Sequence, residues 1–198
     1  MFRSSLVGLA MVISAVGAQA AAEVRFDPSF DSVTVGDVFD VVLKGQSFNL
    51  TNGGSAIGNI TGGQQLNLSY SFGILEVLSV TIDPRWTFAA GNRAGTINQS
   101  QGTVTGVAFG SFPATTDDDF NIAKLSLRAL APGQGTLTLV SGQFIGVVGG
   151  LAGRSIAPSL GQATFTVEPV LSPIPEPAQW ALLLLGLGVV TRKLRSRQ

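Results

Sequence analysis

Val33-Thr34-Val35-Gly36-Asp37-Val38-Phe39-Asp40-Val41-Val42-Leu43-Lys44 decides the fold. Val33 and Val35 flank Thr34 ahead of a Gly36-Asp37 break. Phe39, Val41 and Leu43 then share one face of a second run. Period-two alternation of β-branched and aromatic residues marks a half-buried strand. The pattern extends outward in both directions. Upstream, Val24 and Phe26 alternate before Asp27-Pro28. Downstream, Leu66, Leu68 and Tyr70 share a face, and Leu75-Glu76-Val77-Leu78-Ser79-Val80-Thr81-Ile82 stops at Asp83-Pro84. Residues 104–109, 122–130, 136–140 and 163–167 complete nine candidate strands. No mid-chain segment sustains a helical period, and residues 71–75 suit one short turn.

Glycine and proline punctuate these runs. Residues 51–65 contain five glycines, at 53, 54, 58, 62 and 63, and read as a long loop or irregular hairpin. Residues 85–101 and 110–119 read as two more long connections. Ala131-Pro132-Gly133-Gln134-Gly135 is a tight turn, and Ser141-Gly142 reads as the end of the strand that closes at Val140. Many short strands, glycine-rich turns and no fixed repeat predict an all-β fold: a single β-sandwich of about nine strands with jelly-roll connections. The residues expected to point between the sheets are Phe39, Val41, Leu43, Leu68, Val77, Leu125, Leu127, Leu137, Leu139 and Phe165.

The middle of the chain resembles cohesin-like modules, relatives of the cellulose-binding sandwiches. The resemblance rests on residues 33–41, on Leu66-Asn67-Leu68-Ser69-Tyr70 and on residues 75–80. Phe120-Asn121-Ile122-Ala123-Lys124-Leu125-Ser126-Leu127, followed by residues 133–139, resembles that family's closing hairpin. The likeness covers about residues 22–168 and implies the fold. Where the family commonly has Asp after the Tyr, this chain has Ser71, which leaves the fold reading standing and weakens any carry-over of dockerin binding.

Both ends read as targeting segments. Arg3 precedes an apolar stretch from Leu6 to Val16, and Ala18-Gln19-Ala20 is an A-x-A cleavage site. Residues 1–20 are therefore expected to be a signal peptide used by signal peptidase and the secretion machinery, with Ala18 and Ala20 setting the cut. At the other end Pro175-Glu176-Pro177 precedes Trp180, the thirteen uncharged residues 178–190, and then Arg192, Lys193, Arg195 and Arg197. Thirteen residues of helix span roughly 20 Å, short of a hydrocarbon core of about 30 Å, so a buried or interfacial helix is one reading. The run has no polar face to show water. Trp180 stands at an interface position, and the basic residues can snorkel at the far end. These features favour a membrane span with the C-terminus held in the cytoplasm.

This tail resembles the PEP-CTERM sorting signal of exported bacterial proteins, through Pro175, Glu176, Pro177, Trp180, the leucine run 182–187 and the basic end. The resemblance covers about an eighth of the chain. It implies an exosortase, a membrane transpeptidase that recognises Pro175-Glu176-Pro177 and removes the helix. The alternative is a proline-rich linker before a permanent anchor. The expected organisation is a signal peptide (1–20), a cohesin-like sandwich (21–170), a Pro-rich linker bearing the motif (171–177), a transmembrane helix (178–191) and a basic cytoplasmic tail (192–198). Transient inner-membrane anchoring is followed by delivery to the surface or the extracellular space.

Composition narrows the chemistry. The 198-residue chain has no Cys and no His. That excludes disulfides, thiolate catalysis, a Ser-His-Asp triad and a histidine-ligated zinc. Residues 21–174 carry seven basic and eleven acidic side chains, a balance that argues against nucleic acid as a partner. Glu76 and Glu168 are the only glutamates between Arg25 and Pro175, with no sign of a facing carboxylate pair for glycoside hydrolysis. The chain reads as non-catalytic and needs no cofactor. Asp117-Asp118-Asp119 is either a solvated turn or a set of oxygen ligands for Ca²⁺. Tyr70, Trp86 and Phe88 are either core or an aromatic platform for a sugar ring. The reading that results is a structural or adhesive module in exopolysaccharide, with polysaccharide or another surface protein as partner. The alternative is a carbohydrate-binding module with a defined glycan site.

Overall fold

The alternating runs form strands in the computed structural model, which describes residues 22–48, 51–52, 55–56, 59–148, 151–171 and 184. The strands are β1 (Glu23–Pro28), β2 (Ser32–Thr34), β3 (Val38–Gln46), β4 (Thr51–Asn52), β5 (Ser55–Ala56), β6 (Asn59–Tyr70) and β7 (Leu75–Ile82). They continue with β8 (Thr96–Asn98), β9 (Thr103–Thr115), β10 (Phe120–Ala129), β11 (Gly133–Val148), β12 (Leu151–Ile156), β13 (Ser159–Leu160) and β14 (Gln162–Glu168). The chain divides into two compact units, Met1–Glu168 and Pro169–Gln198. The signal peptide, the Pro175-Glu176-Pro177 motif, Trp180 and the basic tail lie outside the described residues. Among the described residues no helix is long and apolar enough to cross a membrane.

The first unit is a β-sandwich. One sheet has the order β13-β1-β3-β10-β7. The other runs β2-β14-β11-β6-β9-β8, with β12 paired to β11, and β4-β5 form a separate ladder. From β3 onward the long strands alternate between layers: β3, β7 and β10 lie in the first sheet, β6, β9 and β11 in the second. Each long strand therefore hydrogen-bonds to strands distant in sequence and buries one face against the other sheet. Val41, Leu43, Val77, Leu125 and Leu127 are buried in the first sheet, and Leu66, Leu68, Val104, Leu137, Leu139 and Phe165 in the second. Phe39 also points between the sheets and packs against the core. It is half-buried and closes one part of the sandwich in edge-on contacts with Phe30 and Phe165, at 5.0 and 5.3 Å between ring centroids.

Four connections differ from expectation. The segments 51–65 and 110–119 are largely strand, because β6 begins at Asn59 and β9 runs on to Thr115. The glycines here allow close approach within the sheet: a Cβ on Gly62 would lie 2.3 Å from the Phe109 carbonyl oxygen. Ser141-Gly142 does not end a strand either. β11 continues to Val148, with register shifts at Leu139/Ser141 and Ser141/Gln143. A Cβ on Gly142 would stand 3.1 Å from the Phe144 ring, so the glycine makes room for core packing. The expected closing hairpin is not one. β10 and β11 lie in different sheets, and residues 130–132 carry the chain from one layer to the other. The short turn expected at 71–75 is present, with the Leu75 N–H donating to the Ser71 carbonyl at 2.9 Å.

The outer faces of the two sheets differ in chemistry. The first sheet carries ion pairs between Lys44 and Asp27, Lys124 and Asp40 (2.9 Å), and Arg128 and Glu76 (3.3 Å). Glu76 is thus an outward-facing surface residue. Lys44 and Lys124 hydrogen-bond the carboxylates of Asp27 and Asp40 and hold both below their ordinary range. Strands β6, β8, β9 and β11 of the second sheet contain no charged residue.

Candidate functional site

Strands β6, β8, β9 and β11, with the adjoining β14, bear hydroxyls and amides in register, Gln162 exposed and Thr138, Ser69, Thr103 and Asn98 half-buried. Thr138 pairs with Gln162 on one side and Ser69 on the other, Ser69 with Thr103, and Thr103 with Asn98. The row Gln162-Thr138-Ser69-Thr103-Asn98 crosses five neighbouring strands. At ~4.8 Å between strands it extends roughly 19 Å. Beside it the Asn67 amide donates to Ser141 Oγ at 2.9 Å, and Asn67 Oδ1 accepts from the Gly106 N–H at 3.0 Å. The cross-strand pairs order this polar face.

At one side of the row the sheet opens into a cleft of about 420 Å³. Two neighbouring β-bulges shape it. Between the pairs Gly63/Phe109 and Leu66/Val107, β6 advances three residues while β9 advances two. The β11 ladder shows the same excess between Gln64/Gln143 and Asn67/Ser141. The extra residue lies in the stretch that contains Gln65, which has φ of 53°, a left-handed conformation rare for a side chain with a Cβ. Successive residues of a regular strand face opposite ways. Here Gln64 and Gln65 are both exposed and both line the cleft. On β9 the excess reverses between Val107 and Val104, next to Gly106 at φ 75°. Gly106 also lines the cleft. The Gln64 amide donates to Gln143 Oε1 at 2.9 Å. That leaves Gln64 Oε1 and the Gln143 amide nitrogen without a partner among the described residues.

The segment after β7 forms the opposite wall. Trp86 anchors it from inside: its indole N–H donates to the Asn121 carbonyl at 2.9 Å, and its ring lies 4.5 Å from Phe109 and 5.4 Å from Phe120. Asn92 ties the loop together, donating to the Trp86 carbonyl at 2.6 Å and accepting from the Gly110 N–H at 2.9 Å. Arg93 and Ala108 exchange backbone hydrogen bonds of 2.8 and 3.0 Å. Held this way, Phe88 lines the cleft at 55% exposure. Arg93 lines it too, exposed and without a salt bridge among the described residues.

The structure corrects the aromatic platform. Tyr70 and Trp86 are 6% and 2% exposed and belong to the core. Burial raises the Tyr70 phenol pKa, with the Glu76 charge adding to the shift. The hydroxyl donates to Gln99 Oε1 at 2.5 Å. An indole or phenol whose polar group has an internal partner gains most by burying the rest of its ring. The exposed member of the trio is Phe88. The three aspartates do not converge. Asp117 accepts from Arg85 Nη1 at 3.0 Å, Asp119 Oδ1 from the Ser47 N–H at 3.4 Å, and the Asp118 carbonyl from the Phe48 N–H at 3.3 Å. Among the described residues no three acidic side chains surround a common point. Gln64, Gln65, Asn92 and Arg93 were not singled out by the sequence, because the bulges and the loop clamp that unite them leave no local signature.

The sandwich is similar to solved cohesin modules. The seventh ScaB type I cohesin from Pseudobacteroides cellulosolvens superposes with a TM-score of 0.57 at 19% identity, covering 79% of this chain and 97% of the cohesin. A non-cellulosomal cohesin from the archaeon Archaeoglobus fulgidus gives 0.55 at 15% identity, covering 82% and 98%. A Clostridium thermocellum type I cohesin–dockerin complex, Coh-OlpC-Doc435, gives 0.53 at 19% identity, covering 79% and 99%. No protein-family model matches the chain, and no curated protein matches it in sequence. At these identities the likeness establishes the fold: the first unit is a β-sandwich of cohesin-like architecture.

Proposed function

We propose that the chain is an exported, non-catalytic interaction module, sorted by an exosortase through Pro175-Glu176-Pro177 to the cell surface or the extracellular matrix. There its sandwich engages another surface protein. One observation carries the partner reading: the five-strand row Gln162-Thr138-Ser69-Thr103-Asn98 lies on a sheet whose long strands carry no charge. Burying a charge without a partner is costly, and the cores of protein interfaces are depleted in Lys, Glu and Asp. A flat hydroxyl and amide face can be covered with its hydrogen bonds replaced. The ion-paired face of the other sheet cannot be covered so cheaply. The fold likeness to a cohesin solved in complex with dockerin supports a protein as the partner. The sorting reading rests on the tail sequence.

The test places a photo-cross-linking residue at position 138, on the uncharged face, or at 126, on the ion-paired face. Cross-links to one extracellular protein from 138 and none from 126 are expected. Equal labelling from both positions, or none from either, would remove the reading. A second reading, a carbohydrate-binding module, is favoured by the bulge-lined cleft with its exposed Phe88.

A further inference from the structure

We infer that the cleft between β6, β9 and the 86–93 segment is a binding site for an acidic glycan, with a uronate carboxylate held by Arg93 and the sugar ring laid against Phe88. The inference rests on the carbohydrate-binding reading and gives it a place and a ligand class. The cleft's volume of about 420 Å³ falls within the ~300–1,000 Å³ of small-ligand sites. Its chemistry is sorted as sugar recognition requires. Phe88 offers an exposed ring face. Its ring fits because residue 91 is a glycine: a Cβ there would lie 2.5 Å from Phe88 Cδ1. Planar amides follow from Gln64 and Gln65, and the Gln64 side chain is held by Gln143 of β11 with its own Oε1 left unengaged among the described residues.

Arg93 sets the charge of the ligand. Among the described residues it is the only charged one lining the cleft and has no salt bridge, and the strands around it carry no acid to compete. A guanidinium forks onto a carboxylate through two parallel N–H···O bonds. The backbone strain at Gln65 points the same way. A left-handed backbone is disfavoured for glutamine because its Cβ crowds the following carbonyl oxygen, and such outliers cluster where a side chain must be presented. Here the strained bulge brings two consecutive amides into one cleft. A peptide carboxylate would satisfy Arg93 equally, but a peptide anchor wants an enclosed apolar pocket. This cleft offers one open ring among amides.

The test titrates the full chain, solubilised in mild detergent, with a tetramer of galacturonate, a neutral glucose tetramer and a glutamate-rich peptide. Binding of the galacturonate tetramer is expected, weakened by raised salt. Arg93→Gln should weaken it about ten- to a hundredfold, Phe88→Ala should also weaken it, and Arg93→Lys should restore part of the loss. Arg154→Gln, an exposed cation on β12, should change nothing. Arg93 and Phe88 are exposed, and unchanged melting temperatures would show that both variants fold. No binding of the galacturonate tetramer, or binding unaltered by Arg93→Gln, would overturn the proposal. So would peptide binding stronger than that of the uronate. Equal binding of the neutral tetramer, insensitive to Arg93, would overturn the acidic ligand while leaving the carbohydrate reading standing.

Discussion

Gln65 shows how one residue can be set against its own backbone. At φ 53° it sits where glycine is favoured, yet it carries a long amide into the cleft. Gln65→Gly should relieve about 1–2 kcal/mol of left-handed strain, offset by roughly 0.5–1 kcal/mol of added freedom in the unfolded chain. The expected outcome is a melting temperature equal to or above that of the wild type, with weaker uronate binding in the same titration. A simple loop residue would show the first effect without the second. Core residues behave more simply. Leu125 is fully buried between the sheets, so Leu125→Ala should destabilise by about 2–5 kcal/mol, read from urea unfolding. The core was legible residue by residue, because a strand with one buried face must alternate, as Val41, Leu43, Leu125 and Leu127 do. Trp86 was not. Its composition is that of a sugar platform or of a core anchor alike, and only the Asn121 carbonyl above its indole N–H decides between them.

At the scale of elements, glycine was the residue whose meaning the sequence hid. Gly62, Gly63 and Gly142 look like loop punctuation, but they lie within β6 and β11, where neighbouring atoms leave no room for a Cβ at 62 or 63 and only a tight fit at 142. Gly62→Ala should therefore force β6 from β9 at the Phe109 carbonyl and cost about 1–3 kcal/mol, seen as a lowered urea midpoint. The ladders of the first sheet make a separate, pH-dependent contribution. Asp27 and Asp40 have folded-state pKa values below their ordinary 3.8, through hydrogen bonds from Lys44 and Lys124. The unfolded chain binds protons first as pH falls, so this stabilisation is full above about pH 4 and is lost below it. These pairs are partly exposed, so each is worth about 0–1 kcal/mol. Melting temperatures at pH 6 and pH 3 should differ less for the Asp27→Asn, Asp40→Asn double variant than for the wild type. An unchanged difference would assign the acid sensitivity elsewhere.

On the scale of the whole molecule, the proposal joins a sandwich to a delivery tail, and the two make separable predictions. The sandwich unit ends at Glu168, and Pro173, Pro175 and Pro177 follow within nine residues. Each proline fixes φ and lacks an N–H, so the sequence itself disfavours a helix across the motif. Glu176 is the only acidic side chain after Glu168. Changing it to Ala removes a charge while leaving the apolar run 178–190 and the basic residues Arg192, Lys193, Arg195 and Arg197 intact. Membrane insertion and orientation depend on the latter two features, with each cation near an anionic leaflet worth about 1 kcal/mol. Glu176→Ala should therefore insert normally and then accumulate at full length in the inner membrane. The wild type should be recovered outside, shortened by roughly the apolar run and the basic end, as mass spectrometry of its C-terminus would show. Folding of the sandwich should be the same in both, because among the described residues the buried core runs from Val24 to Val167. If both forms instead stay in the membrane at full length, the tail is a permanent anchor. The sandwich would then act at the cell surface, with its uncharged face and its cleft confined to whatever glycan or protein reaches the membrane.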